Sequence, residues 1–277
     1  MTNYPSYPGT PYGTYDPGYD ESADRDRVHG DGSLNVMKAV KWGFAATFKG
    51  WIVWILGSLA FLIIAFAGGV GLQMITGDPD NTYGNFAECV FGVVISTFAI
   101  NAALRHIDNG RITWSTIGQR LRFWPTFGAS ALVSIITGLI YGAFLLVVTM
   151  GLVSTSANFD ENTSLQQMTM FFFQLFGVLA VVMLGQFLIY PLLVFAPYSA
   201  DDRDGSWWSN VVAGMRVGSQ HYGKLLLFIV LYAVIGVVLC LVTLFLGLIV
   251  FLPATILIVA HIYRQISGGV LPTPVTK

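Results

Sequence analysis

Two short stretches of this 277-residue chain hold most of the side chains that could do chemistry. In SADDRDGSWW, Asp201, Asp202 and Asp204 fall within four residues; in LRHIDNGR, His106 and Asp108 stand two apart. Clustered carboxylates are what a hard divalent cation prefers, and histidine with aspartate is common material for acid–base catalysis. Neither stretch has the spacing that its chemistry needs. The acidic triplet has Arg203 among it and no glutamate or histidine at a matching interval, so it makes a poor metal cage and reads as a solvated elbow. On a helix, residues two apart do not share a face, and Asp108-Asn109-Gly110 is a turn signal. No GxSxG elbow, HExxH pair or phosphate-binding loop occurs. The expectation is therefore no catalytic, cofactor-binding or metal-binding residue, no cofactor, and no enzyme. The two cysteines, Cys89 and Cys240, lack ligand spacing and read as small apolar packing residues. Both fall towards one side of the membrane, which leaves a disulfide open.

The elements that carry these residues are apolar. Hydrophobic residues make up 55% of the chain and charged residues only 10%, against roughly 25% charged in a soluble domain. Six stretches are long enough for a hydrocarbon core, at about 51–73, 87–104, 126–153, 168–196, 225–243 and 246–264. The last two form one apolar run, too long for a single span, and are divided near Phe245 to Gly247, where glycine would relax the turn. The expected fold is all-α: a polytopic membrane protein with six transmembrane helices. One interfacial amphipathic helix precedes the first span and another lies between the fourth and fifth.

Basic residues set the orientation, because lysine and arginine are retained on the cytoplasmic side. With both termini cytoplasmic, all fourteen fall inside: the tails, the segment before the first span, and the second and fourth loops. The first and third loops hold Asp78, Asp80, Asp160 and Glu161 and no basic residue. Residues 1–33, rich in proline, glycine and tyrosine, read as a disordered cytoplasmic tail without a cleavable signal peptide. Residues 34–269 form the membrane domain and 270–277 a short cytoplasmic tail.

Between Leu34 and Lys49, Val36, Val40 and Phe44 recur every four residues with Met37 and Phe48 beside them. Lys38, Lys41 and Lys49 fall mostly on other faces. That pattern suits a helix at the cytoplasmic interface or an extension of the first span. In SWWSNVVAGMRVGSQ, Trp208, Val211, Val212, Met215 and Val217 have near-helical spacing after Ser206, a suitable cap. Its tryptophans would anchor at headgroup level.

No lysine, arginine, histidine or aspartate lies mid-span, and Glu88 sits at the outer edge of the second, which argues against proton-driven transport. Gln174 and Gln186 in the fourth span read as interhelical hydrogen-bonding residues. Pro253 should bend the sixth span, and Pro191 lies late in the fourth. Gly57, Gly68, Gly69 and Gly71 suit close packing of the first span; the Gly214/Gly218 pair is weak evidence of any contact.

KAVKWGFAATFKGWIVWILGSLAF, PLLVFAPYSADD, WSNVVAGMRVGSQHYGKLLLFIVLY and GLIVFLPATILIVAHIYRQISG together carry a resemblance. Over residues 34–269 the chain resembles poorly characterised, actinobacterial-type six-helix membrane proteins. These are related in pattern to the membrane domain ahead of some glycerophosphoryl diester phosphodiesterases, whose catalytic domain is absent from this sequence. The resemblance implies membership without an activity. The function expected is a non-enzymatic accessory or organising component of a bacterial inner membrane or envelope. Its partners would be membrane lipids and a membrane protein met through the cytoplasmic face, with no nucleic acid. The alternative is a passive or partner-energised transporter or lipid-handling protein.

Overall fold

The computed structural model describes residues 28–76, 82–156 and 165–272. Residues 1–27 and 273–277, and with them most of the expected tails, lie outside these, as do Asp78, Asp80, Asp160 and Glu161. The regular structure of the described residues is helical, apart from an isolated bridge between His29 and Val270. A first helix α1 (Val36–Lys49) leads into α2 (Trp51–Thr76) and α3 (Thr82–Asn109), and a single 3-10 turn (Trp114–Thr116) precedes α4 (Phe123–Ser156). There follow α5 (Leu165–Leu193), the short α6 (Ala196–Asp202), α7 (Trp207–Gln220), α8 (Tyr222–Val242) and α9 (Leu248–Ser267). Six helical stretches are long and apolar enough to cross a membrane, α5 and α6 counting as one. A helix satisfies its own backbone groups, which is the condition for crossing lipid. The chain is a multi-pass integral membrane protein, with spans close to those expected.

Its two ends are built differently. At the end that carries the described termini, hereafter the polar end, a core of buried side chains joins α1, α2, α3, α6, α8 and α9, with Leu104, Phe195, Leu257, Ile258 and Tyr263 at its centre. Beyond it, burial is sparse among the described residues. No described side chain is buried in α2 past Trp54, in α4 between Ala131 and Met150, or in α5 between Thr169 and Tyr190. The same holds for the hairpin between Val237 and Val250. This second region is the far end.

The division of the last apolar run falls where the sequence places it, between Val242 and Leu248. The device differs. Leu244 and Phe245 take the left-handed conformation (φ 49° and 69°), whereas Gly247 has φ −61°. Gly247 is needed for space: a Cβ there would stand 2.7 Å from both Leu239 Cγ and Thr243 Oγ1. Its amide donates to that same hydroxyl at 2.8 Å.

Helix α1 begins at Asn35, whose side chain accepts from the Lys38 amide, and lies along α9 more extensively than any other pair of helices in contact. The strip it buries is Ala39, Trp42, Gly43, Ala46 and Thr47. Val36, Val40 and Phe44 border that strip half-buried, and Met37 and Phe48 are exposed. Small residues win the contact because two helices approach closely only where side chains are short. At α7, Ser206 caps the helix as expected, its hydroxyl accepting from the Ser209 amide at 3.3 Å. The buried strip again follows small residues: Asn210, Val211, Gly214, Val217 and Gly218. The Gly214/Gly218 pair does mark a contact, since a Cβ on Gly214 would lie 2.6 Å from Phe195 O and one on Gly218 would strike Pro191 O. In α2, Gly57 packs against the Trp114 ring, whereas Gly68 and Gly71 face open space; the surroundings of Gly69 lie outside those described. Pro253 is buried within α9 and does not interrupt it.

Candidate functional site

The site is a polar floor that closes the polar end. Arg264, near the end of α9, has a side chain only 8% exposed. One guanidinium nitrogen meets Asp202 Oδ1 at 2.8 Å and the other meets Asp108 Oδ1 at 2.9 Å. Arg105, one turn before Asp108, reaches its second oxygen at 3.1 Å. The Tyr263 hydroxyl donates to Asp202 Oδ2 at 3.2 Å. One arginine thus joins the ends of α3, α6 and α9. A buried charge costs several kcal/mol unless it is paired, so these groups hold each other in place more than they add stability.

Asp201 points the other way and does a different job. It is 3% exposed, and its Oδ2 accepts from Asn101 Nδ2 at 2.9 Å. Its Oδ1 accepts from the Arg122 amide at 3.2 Å and the Thr126 hydroxyl at 3.3 Å. The carboxylate therefore sits at the start of α4, where free amides and the helix dipole favour negative charge. Asn101 completes the junction, because its Oδ1 accepts from the Gly118 amide at 3.1 Å. Successive aspartates thereby tie the seven-residue α6 to α4 on one side and to α9 on the other.

A third group seals the floor beside α1. Trp54 Nε1 donates to His106 Nδ1 at 3.0 Å; indole nitrogen can only donate, so His106 Nδ1 carries no proton. Gln265 takes the Asn35 amide on its Oε1 at 2.8 Å and offers its Nε2 to His261 Nδ1 at 3.0 Å. The Trp42 ring lies between the two imidazoles, with centroid distances of 5.7 Å and 5.2 Å. The described terminal segments close over this end. Gly30 N donates to Gly269 O at 2.9 Å, Gly32 N to Gln265 O at 3.1 Å and Leu271 N to Val28 O at 2.8 Å. Gly269 is in contact with Arg264, for a Cβ there would meet Arg264 Cδ at 2.5 Å.

The residues singled out in the sequence find their places here. Asp201 and Asp202 are not a solvated elbow; of the triplet, only Asp204 is exposed, 3.9 Å from Arg122. His106 and Asp108 do diverge, to Trp54 and to Arg264, but α3 continues through both before turning at Gly110 (φ 66°). His261 and Arg264 are buried in the last two turns of α9, at the end of its span and not mid-span. Cys89 and Cys240 are free thiols, not a disulfide. Gln186 bonds Thr137 across to α4 at 3.4 Å, whereas Gln174 is exposed. Among the described residues, no three histidine, cysteine, aspartate or glutamate side chains converge as metal ligands.

The chain matches no protein-family model, no curated protein and no solved structure. The resemblance drawn from the sequence therefore stands on the residues quoted for it. What the arrangement can do follows from geometry alone. At the centre of the floor Arg264 is held by two carboxylates and Asp201 by three donors. Above it stand apolar helices with unburied flanks.

Proposed function

We propose that this protein handles membrane lipid, taking acyl chains between the far-end halves of its helices above a floor closed to solutes. The carrying observation is the lack of any buried described side chain along α4 from Ala131 to Met150 and α5 from Thr169 to Tyr190. In that stretch Phe172, Phe173 and Gln174 are consecutive and all exposed, so more than one face of α5 is uncovered. Helices in a bilayer have no hydrophobic drive to associate, and surfaces that do not pack on protein are covered by lipid. The ion-paired floor favours lipid over solute as the occupant, because a passage across the membrane would have to part Arg264 from both carboxylates. Every lysine and arginine among the described residues belongs to the polar end or its loops, which supports both termini lying in the cytoplasm of a bacterial inner membrane.

The test is mild extraction of the full chain followed by native mass spectrometry through a graded delipidating wash. The reading predicts phospholipid that stays bound after annular lipid is gone, and lower thermal stability once it is removed. Complete stripping with unchanged stability would sink it. A single protein partner at equal stoichiometry, with no retained lipid, would return the function to an accessory role.

A further inference from the structure

The surface of α1 is divided into three strips. Its buried strip, through Ala39, Trp42, Gly43 and Ala46, is locked on α9, and a Cβ at Gly43 would come within 3.2 Å of Ala254 O. The helix therefore cannot roll. A second strip, Met37, Phe44 and Phe48, follows i, i+7, i+11 spacing, and Met37 and Phe48 are 63% and 57% exposed. A third strip, Lys38, Lys41 and Lys49, follows i, i+3, i+11 spacing and is exposed along its length.

The lysines differ from Arg105, Arg122 and Arg264, the cations of the floor and its rim. Arg105, Arg122 and Arg264 each face a carboxylate. Lys38, Lys41 and Lys49 form no ion pair within 4.0 Å among the described residues. The hydroxyl and amide of Ser33 hold the Asp31 carboxyl below its ordinary range, with a smaller contribution from the charge of Lys38. Only Gly50 separates Lys49 from α2, the first membrane-crossing helix, which opens with the half-exposed Trp51. Trp114, Trp124 and Trp208 are also exposed at the polar end, and tryptophan concentrates at headgroup level.

We infer that α1 is a fixed docking surface for anionic phospholipid of the adjoining leaflet, its lysine strip on headgroup phosphates and its Met37–Phe44–Phe48 strip at the acyl boundary. Charge complementarity selects the occupant: three unpaired ammonium groups beside an exposed apolar strip suit an anionic bilayer surface, where each basic side chain adds attraction. A soluble acidic protein would satisfy the lysines and leave Phe48 and Met37 in water. The inference does not depend on acyl chains entering the far end, since it concerns the opposite end of the helices.

The full chain is reconstituted in nanodiscs of phosphatidylcholine with a minor share of phosphatidylglycerol, and the lipid retained after mild extraction is quantified. Wild type should enrich phosphatidylglycerol over the bulk ratio. K38Q/K41Q/K49Q should lower that preference about tenfold or more, while K38R/K41R/K49R keeps it. Because the three side chains are exposed, both variants should keep the wild-type helical content, and total lipid retained by the far end should not change. No enrichment by wild type, or an equal preference in the glutamine variant, would overturn the inference.

Discussion

The polar end and the far end are made from similarly apolar helices, yet only one is a protein core. At the polar end, α9 is buried almost continuously from Leu257 to Ile266, and it carries His261 and Arg264 within that stretch. At the far end, α4 and α5 have higher apolar content, and none of their described side chains is fully buried over twenty-residue lengths. Apolar content thus does not decide packing in a membrane. Short residues that allow backbone approach, and polar groups that must find partners, decide it. Gly43, Gly214 and Gly218 supply the first; Asp108, Asp201, Asp202 and Arg264 supply the second.

The comparison breaks most sharply at Arg264. Arg264→Met leaves Asp108 and Asp202 without their shared cation, and removing one partner of a buried ion pair costs about 3–5 kcal/mol. A large fall in the thermal midpoint of the detergent-solubilised protein should result. Adding Asp202→Asn to that variant should restore part of the loss, because Asp108 keeps its pairing with Arg105 while Asp202 no longer brings a charge without its arginine.

Core substitutions come next. Ile258→Ala, at a position with no exposed area, should cost about 2–5 kcal/mol. Phe173→Ala, at a position 74% exposed, should stay within about 0.5 kcal/mol. Heating followed by size-exclusion chromatography distinguishes them, and equal losses would mean the far end is packed.

The glycines sharpen the same contrast at smaller scale. Gly214→Ala drives a methyl against Phe195 O and should cost about 1–3 kcal/mol. Gly71→Ala meets open space within α2 and should be neutral or stabilising by up to about 1 kcal/mol. Trp54→Phe leaves the buried His106 Nδ1 without its donor and should cost about 1–3 kcal/mol, measured by the same thermal assay.

Much of this fold was legible in the sequence. Span length, the cap at Ser206 and the break after Val242 are local properties, written in consecutive residues. The floor was not legible, because its partners are distant: Arg264 and Asp108 are 156 residues apart, and Asp201 and Asn101 are 100 apart. A signal existed in Arg264 and His261, ionisable groups close to the end of an apolar run, where burial demands a partner. The strip that α1 buries on α9 is unmarked in the sequence for a related reason. Periodicity marks its large residues, Val36, Val40 and Phe44, but close helix contact selects the small ones between them. The openness of the far end has no local mark at all, since lipid and protein neighbours call for the same side chains.

The most direct measurement is photolabelling of the reconstituted full chain with a phospholipid whose acyl chain carries a diazirine, with labelled residues mapped by peptide sequencing. The account predicts insertions around more than one face of α4 and α5 in the far end, including Phe172 and Phe173 and their neighbours, and almost none among Leu257 to Ile266. Labelling confined to a single stripe on each of α4 and α5 would show a closed bundle there and contradict it.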